Sequence, residues 1–239
     1  MRIDKLLANM GYGSRKEVKN LLKKSAVTIN EKVIKQSQTH VDPNEDVVKV
    51  LDEVVEYREY IYLIMNKPPG YISATEDHRE QTVIDLLESE DVIFEPFPVG
   101  RLDKDTEGLL IITNDGKLAH QLLSPRKDVG KTYYAKIDGT VTEEDITKFT
   151  EGVTLDDGYQ TKPAVLKILD SGEISEIEVT ITEGKYHQVK RMFESVGKQV
   201  VYLKRMKMGD LSLDSSLQLG EYRELTDEEY NYLISITNK

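Results

Sequence analysis

The chain is expected to adopt an α+β fold, with a small N-terminal domain and a larger two-part body built on a mixed sheet. Apolar residues recur at helical spacing in some segments and as short β-branched runs in others, without the regular alternation of a doubly wound sheet. The 239 residues, 38% of them hydrophobic, suffice for one large domain or two to three small ones with a buried core. Charge is divided unevenly. Residues 1–40 carry nine Lys or Arg against three Asp or Glu, a balance of +6, and the remainder carries 23 against 40, a balance of −17. The net charge of −11 therefore conceals a basic head, and the local patch sets the contact with a polyanionic partner.

The elements follow in order. Ile3, Leu6, Leu7 and Met10 predict a first helix, which Gly11 and Gly13 break. Ser14 with Glu17 forms a capping box for a second helix, whose apolar side is Val18, Leu21 and Leu22 and whose basic face is Lys16, Lys19 and Lys23, with Arg15 at its start. Val27 to Asn30 and Lys32 to Ile34 read as a strand pair, closing a domain over 1–50. The acidic stretch 51–59 reads as a linker, and 60–239 as the body. There, Tyr60 to Met65 predicts a strand that the loop Asn66-Lys67-Pro68-Pro69-Gly70-Tyr71 ends. Further strands are expected at Leu109 to Thr113, from Lys131 to Asp138, at Ala164 to Leu169, Ser175 to Thr182 and Val200 to Met206. Helices are expected over Lys117 to Leu123, between Thr142 and Gly152, over Tyr186 to Val196 before Gly197, and after Thr226.

Composition removes several functions. The chain has no cysteine, so disulfides, thiol nucleophiles and cysteine-bound zinc are excluded. His40, His78, His120 and His187 lack close metal-ligand spacing, and no metal is expected. No apolar run approaches a membrane span, and the start MRIDKLLANM is charged where a signal peptide is apolar, so a cytoplasmic protein is expected.

Gly100-Arg101-Leu102-Asp103-Lys104-Asp105-Thr106-Glu107-Gly108-Leu109-Leu110 carries the most chemistry. Asp103 stands between the cations Arg101 and Lys104, where a carboxylate stays ionised and can act as nucleophile or base. Asp103, Asp105 and Glu107 also match the opening of a calcium loop, but the twelfth position is Asn114 and Leu109 to Ile112 is apolar, which speaks against calcium. An aspartate that merely caps backbone amides in a turn fits these residues equally well.

This GRLDxDTxGLLIxTNDG pattern resembles the signature of the pseudouridine synthases, in the branch that modifies small-subunit rRNA. The NKPxGY loop, with Lys67 and Tyr71 as RNA contacts, is a second family signature. The resemblance implies Asp103 as the catalytic carboxylate, Tyr133 of the Lys-x-Tyr motif against the uracil, and Lys190 paired with the carboxylate. It also implies Leu203 as an apolar wall of the pocket. Arg101, Arg126, His187 and Arg191 are expected to help hold the substrate, His187 and Arg191 sharing a helix face where they could meet phosphate. The two short helices and hairpin of the head look like an S4 RNA-binding domain, with Arg15, Lys16, Lys19 and Lys23 on RNA. Solvated lysines are the ordinary alternative.

The reaction breaks the uracil N1–ribose bond, turns the base and joins C5 to the same carbon, so no cofactor is required. The carboxylate could attack the sugar or base, or remove a ribose proton. The base must leave its stack to be reached. Tyr186-His187 within YHQVKRMF points to the small-subunit branch, since large-subunit relatives tend to have an Asn-Arg pair there. The implied partner is 16S rRNA within an assembling small subunit, acted on by a monomer. Rival readings are a large-subunit target, a non-catalytic S4-type assembly factor, an RNA glycosidase using Asp103 with Asp105 or Glu107, and a metal nuclease.

Overall fold

Ile3, Leu6 and Leu7, each at most 1% exposed, form the buried stripe of α1 (Ile3–Asn9). The expected capping box opens α2 (Arg15–Lys23): Ser14 N donates to Glu17 Oε2 at 2.7 Å, and Glu17 N donates to Ser14 Oγ. Val18 and Leu22 turn inward from α2, while Arg15, Lys16, Lys19 and Lys23 are exposed. These features come from a computed structural model that describes residues 1–237. The chain divides into two units, Met1–Ile61 with Leu87–Pro96, and Tyr62–Leu86 with Phe97 onward.

In the first unit, β1 (Val27–Ile29), β2 (Lys32–Val33), β3 (Val48–Val50) and β4 (Glu53–Val54) form an antiparallel sheet in the order β2-β1-β3-β4. The expected linker over 51–59 is corrected here. Leu51 and Asp52 both take positive φ in the tight turn between β3 and β4, and Val55 is buried in the same core as Leu6 and Leu22, with Tyr57 packed on it. Acidic composition hid a hairpin whose apolar residues alternate too briefly to be recognised. The short helix α3 (Ser89–Val92) also belongs to this unit, where Arg58 lies over the Phe94 ring at 5.5 Å.

The second unit is a nine-stranded mixed sheet. Its strands are β5 (Tyr62–Lys67), β6 (Phe97–Pro98), β7 (Glu107–Thr113), β8 (Lys131–Asp138), β9 (Val165–Asp170), β10 (Ile174–Ile181), β11 (Gln199–Met208), β12 (Leu211–Ser212) and β13 (Tyr222–Glu224). The main order is β13-β5-β7-β11-β8-β10-β9, with β6 on β7 and β12 on β11. Around it lie α4 (Gly116–Leu123), α5 (Glu143–Glu151), α6 (Gln188–Ser195) and α7 (Asp227–Thr237). Ile64, Leu109, Ile111, Leu118, Leu122 and Leu233 share one core cluster, while Phe149 of α5 packs on Phe193 of α6 with ring centroids 4.9 Å apart.

β7 and β11 are parallel, whereas the other pairs of the main order are antiparallel. This parallel seam joins the two parts of the sheet, and its two incoming connections are the Asp103 loop before β7 and α6 before β11. Gly108 makes the seam close. A Cβ there would stand 2.3 Å from the Arg205 carbonyl oxygen, and its φ of +105° suits only glycine.

Candidate active site

Asp103 heads a turn in which Thr106 N donates to its carbonyl at 3.1 Å, and its side chain stays 28% exposed. The turn is lashed from behind by the NKPPGY segment. Lys67 is wholly buried, and its ammonium donates to the carbonyls of Thr106 at 2.8 Å, Pro68 at 2.9 Å, Asp103 at 3.1 Å and Lys104 at 3.4 Å. Gly70 N donates to Lys104 O at 2.7 Å. Ser73 Oγ donates to Leu102 O and accepts from Leu102 N. The expected contact of Lys67 with RNA is thereby corrected: three ammonium protons in a low-dielectric site are held by backbone oxygens. Burial lowers the Lys67 pKa to about 8, against the smaller opposing pull of Asp105, Asp103 and Glu107.

On the front of the turn stand two groups from the α6 end of the seam. Lys190 Nζ lies 3.2 Å from Asp103 Oδ2, and it also bonds both oxygens of Asp105, at 2.7 and 2.9 Å. Burial disfavours the Lys190 charge, but the Asp105 hydrogen bond and the Asp103 charge outweigh it and raise its pKa above the usual lysine value. At Asp105 burial works against the charge, but the Lys190 hydrogen bond and its positive charge overcome it and lower the pKa. His187 Nε2 lies 3.5 Å from Asp103 Oδ1. The expected local cations differ: Lys104 pairs with Glu80 at 2.5 Å, and Arg101 points into solvent as an exposed residue.

The helix expected from Tyr186 begins instead at Gln188, with His187 at its N-cap in the left-handed region at φ 49°. Histidine is among the side chains that tolerate this conformation better than most. The turn is held by Glu183, which accepts from Tyr159 Oη at 2.7 Å, Lys162 N at 2.9 Å and Gln188 Nε2 at 2.8 Å. Gln188 Oε1 in turn accepts from Lys185 N. A continuous helix would have placed His187 beside Arg191. The left-handed turn carries it to Asp103, and Arg191 is engaged elsewhere, with Asp156 and with Asp157 at 2.7 Å. Arg191 is thus no exposed phosphate contact, its side chain being 13% accessible.

Tyr133 and Leu203 are each 7% exposed. Tyr133 is opposite Arg205, and Leu203 is opposite Ala135 two pairs along, so the two side chains share a sheet face. Tyr71 is half-buried in the lashing loop. Arg126 is exposed in an open hollow with His120, Gln121, Ser124 and Lys127, a hollow that includes none of the groups around Asp103. The residues not anticipated are Ser73, Glu183 and Gln188, which position backbone, and Asp105 as a partner of Lys190. Asp105 had a signal, a second acid two residues along the same turn, and Gln188 lies within the YHQVKRMF motif, whereas Ser73 had none.

The sequence profile of the family described as RNA pseudouridylate synthase matches residues 61–195, and that of the S4 domain matches residues 1–47. The chain belongs to the RNA pseudouridylate synthases. The synthase is 59% identical over 235 residues to "Uncharacterized RNA pseudouridine synthase YtzG" of Bacillus subtilis (strain 168), covering 98% of each chain. It is 40% identical over 233 residues to "Ribosomal small subunit pseudouridine synthase A" of Yersinia pestis, covering 96% of each. The same-named protein of Escherichia coli (strain K12) is 36% identical over 230 residues, covering 96% of this chain and 98% of its own. Among solved structures, "Crystal structure of pseudouridylate synthase" superposes with a TM-score of 0.69 at 36% identity, covering 98% of this synthase and 99% of that chain. The synthase therefore combines an S4 domain with a mixed-sheet pseudouridine synthase domain, and it is an RNA pseudouridine synthase. Among the described residues no helix is long and apolar enough to cross a membrane.

Proposed function

We propose that the synthase isomerises one uridine of 16S small-subunit rRNA to pseudouridine, with Asp103 as the catalytic carboxylate acting on an everted base. The observation that carries this reading is the partly exposed Asp103 carboxylate, backed by a backbone-lashed turn and faced by Lys190 at 3.2 Å and His187 at 3.5 Å. The isomerisation breaks N1–C1′ and makes C5–C1′; C5 loses a proton and N1 gains one, with no net redox change. Whether the carboxylate attacks or takes a proton, Lys190 stands beside it as the pairing cation. Tyr133 and Leu203, on one face, are read as walls of the uracil pocket. Arg101, Tyr71 and Arg126 are read as contacts to the surrounding RNA.

The head over residues 1–50 is read as a docking surface for rRNA, through Arg15, Lys16, Lys19 and Lys23, and residues 60–239 as the catalytic part. The small-subunit assignment is supported by the names of the Yersinia and Escherichia relatives at 36–40% identity over nearly the whole chain. On this reading a cytoplasmic monomer acts on an assembling small subunit. Mapping pseudouridine chemically across total rRNA, with and without this protein, tests the proposal. Loss at a single small-subunit position is expected; loss at a large-subunit position, or no loss, would contradict it.

A further inference from the structure

Tyr186 is 68% exposed, unusually so for an aromatic side chain beside a catalytic carboxylate. One face of its ring lies on the His187 imidazole, with centroids 3.8 Å apart and planes inclined by 18°. The imidazole in turn reaches Asp103 Oδ1 through Nε2. The stack is held in place: His187 occupies a left-handed backbone conformation, Arg191 Nη1 donates to Tyr186 O at 3.3 Å, and Gln188 fixes the turn by donating to Glu183 and accepting from Lys185 N. A non-glycine residue held at positive φ beside reacting groups is a conformation retained against its cost. What it achieves here is to lay one ring on another, leading outward from Asp103 and leaving the far face of Tyr186 to solvent.

We infer that Tyr186 is a stacking platform for an unpaired nucleobase of the substrate RNA, next to the uridine presented to Asp103. The inference rests on the proposed function and adds a binding residue to it. When one nucleotide leaves its stack, the neighbouring base loses a partner, and a solvent-facing aromatic ring replaces it without regard to sequence. A hydrogen-bonding role is less well served, because the phenol ring, not the hydroxyl, is what the His187 stack orients. Arg191, being engaged with Asp156 and Asp157, offers no competing cationic surface at this point.

The chain contains no tryptophan, so Tyr186→Trp in the full-length protein introduces a single indole at the position where stacking is expected. The probe is an unmodified 16S rRNA transcript, its binding followed independently by filter retention. At saturation the indole should be quenched and shielded from acrylamide. Tyr186→Ala should weaken transcript binding by roughly 5- to 150-fold, the value of one base–aromatic stack, and lose kcat/KM mainly through KM, with Tyr186→Phe restoring it. An indole equally open to acrylamide with RNA bound, an alanine variant that binds as tightly as the parent, or failure of the protein to bind the transcript would overturn the inference. A transcript that binds and shields the indole but is not isomerised would overturn the substrate assignment and leave the platform standing.

Discussion

Lys190 is shared between two carboxylates, and it lies closer to Asp105 than to Asp103. The division matters because a lysine is a point charge on a flexible stem, and Asp105 supplies the aim that an arginine fork would carry in itself. Replacing Lys190 with methionine leaves two carboxylates facing each other without their cation. The expected fall in kcat is about 10²- to 10³-fold, as for removal of one oriented charge-stabilising group, while Lys190→Arg retains most activity. A methionine variant with unchanged kcat, measured by single-turnover pseudouridine formation, would remove Lys190 from the mechanism. At this scale the sequence is partly legible. The Asp103–Lys190 meeting follows from the family pattern, but Lys104, adjacent in sequence, turns to Glu80 because neighbours in a tight turn point apart. His187 is legible as a residue and not as a geometry, since nothing in its spacing announces a left-handed backbone.

The Asp103 turn is an element in its own right, held by the buried ammonium of Lys67 and by Ser73 rather than by a ladder. A pH experiment separates its order from global stability. Lys67 has a folded pKa of about 8 against an ordinary 10.5, so between those values the folded chain holds fewer protons than the unfolded one. This group therefore makes stability rise with pH across that window. The same deprotonation removes one of the donors that hold the turn, and kcat is expected to fall along a limb near pH 8 without a parallel fall in urea midpoint. A flat kcat profile through pH 9, or a limb that tracks unfolding, would contradict this. The Pro-Pro-Gly turn is plain in the sequence, but Lys67 reads there as an outward residue, because a lysine beside prolines is ordinarily solvated. Its burial comes from register: Lys67 pairs with Gly108, and that pairing carries its side chain under the turn. Arg205 teaches the converse. It shares strand parity with Leu203, is 2% exposed, and donates from Nε to Leu109 O at 2.8 Å, so alternation along β11 already signals a buried cation.

Across the whole molecule, an acidic chain of net charge −11 exposes a row of cations on α2 of the S4 unit, the surface proposed to meet rRNA. Replacing Lys16, Lys19 and Lys23 with glutamate should weaken rRNA binding and flatten its salt dependence, by about 0.7 in log-log slope for each phosphate of single-stranded RNA that is no longer neutralised. An unchanged slope would leave these lysines as solvated charges. The α+β class and most elements are legible in the sequence, since their apolar periodicity is long enough to read; the joining of Leu87–Pro96 to the first unit is not, because it depends on long-range packing. If docking and chemistry reside in different parts of the chain, one substitution should separate them. The direct test is Asp103→Asn in the full-length protein, assayed for 16S rRNA binding by filter retention and for isomerisation by pseudouridine mapping. Binding should persist while pseudouridine formation stops; a variant that still isomerises would contradict the account at its centre.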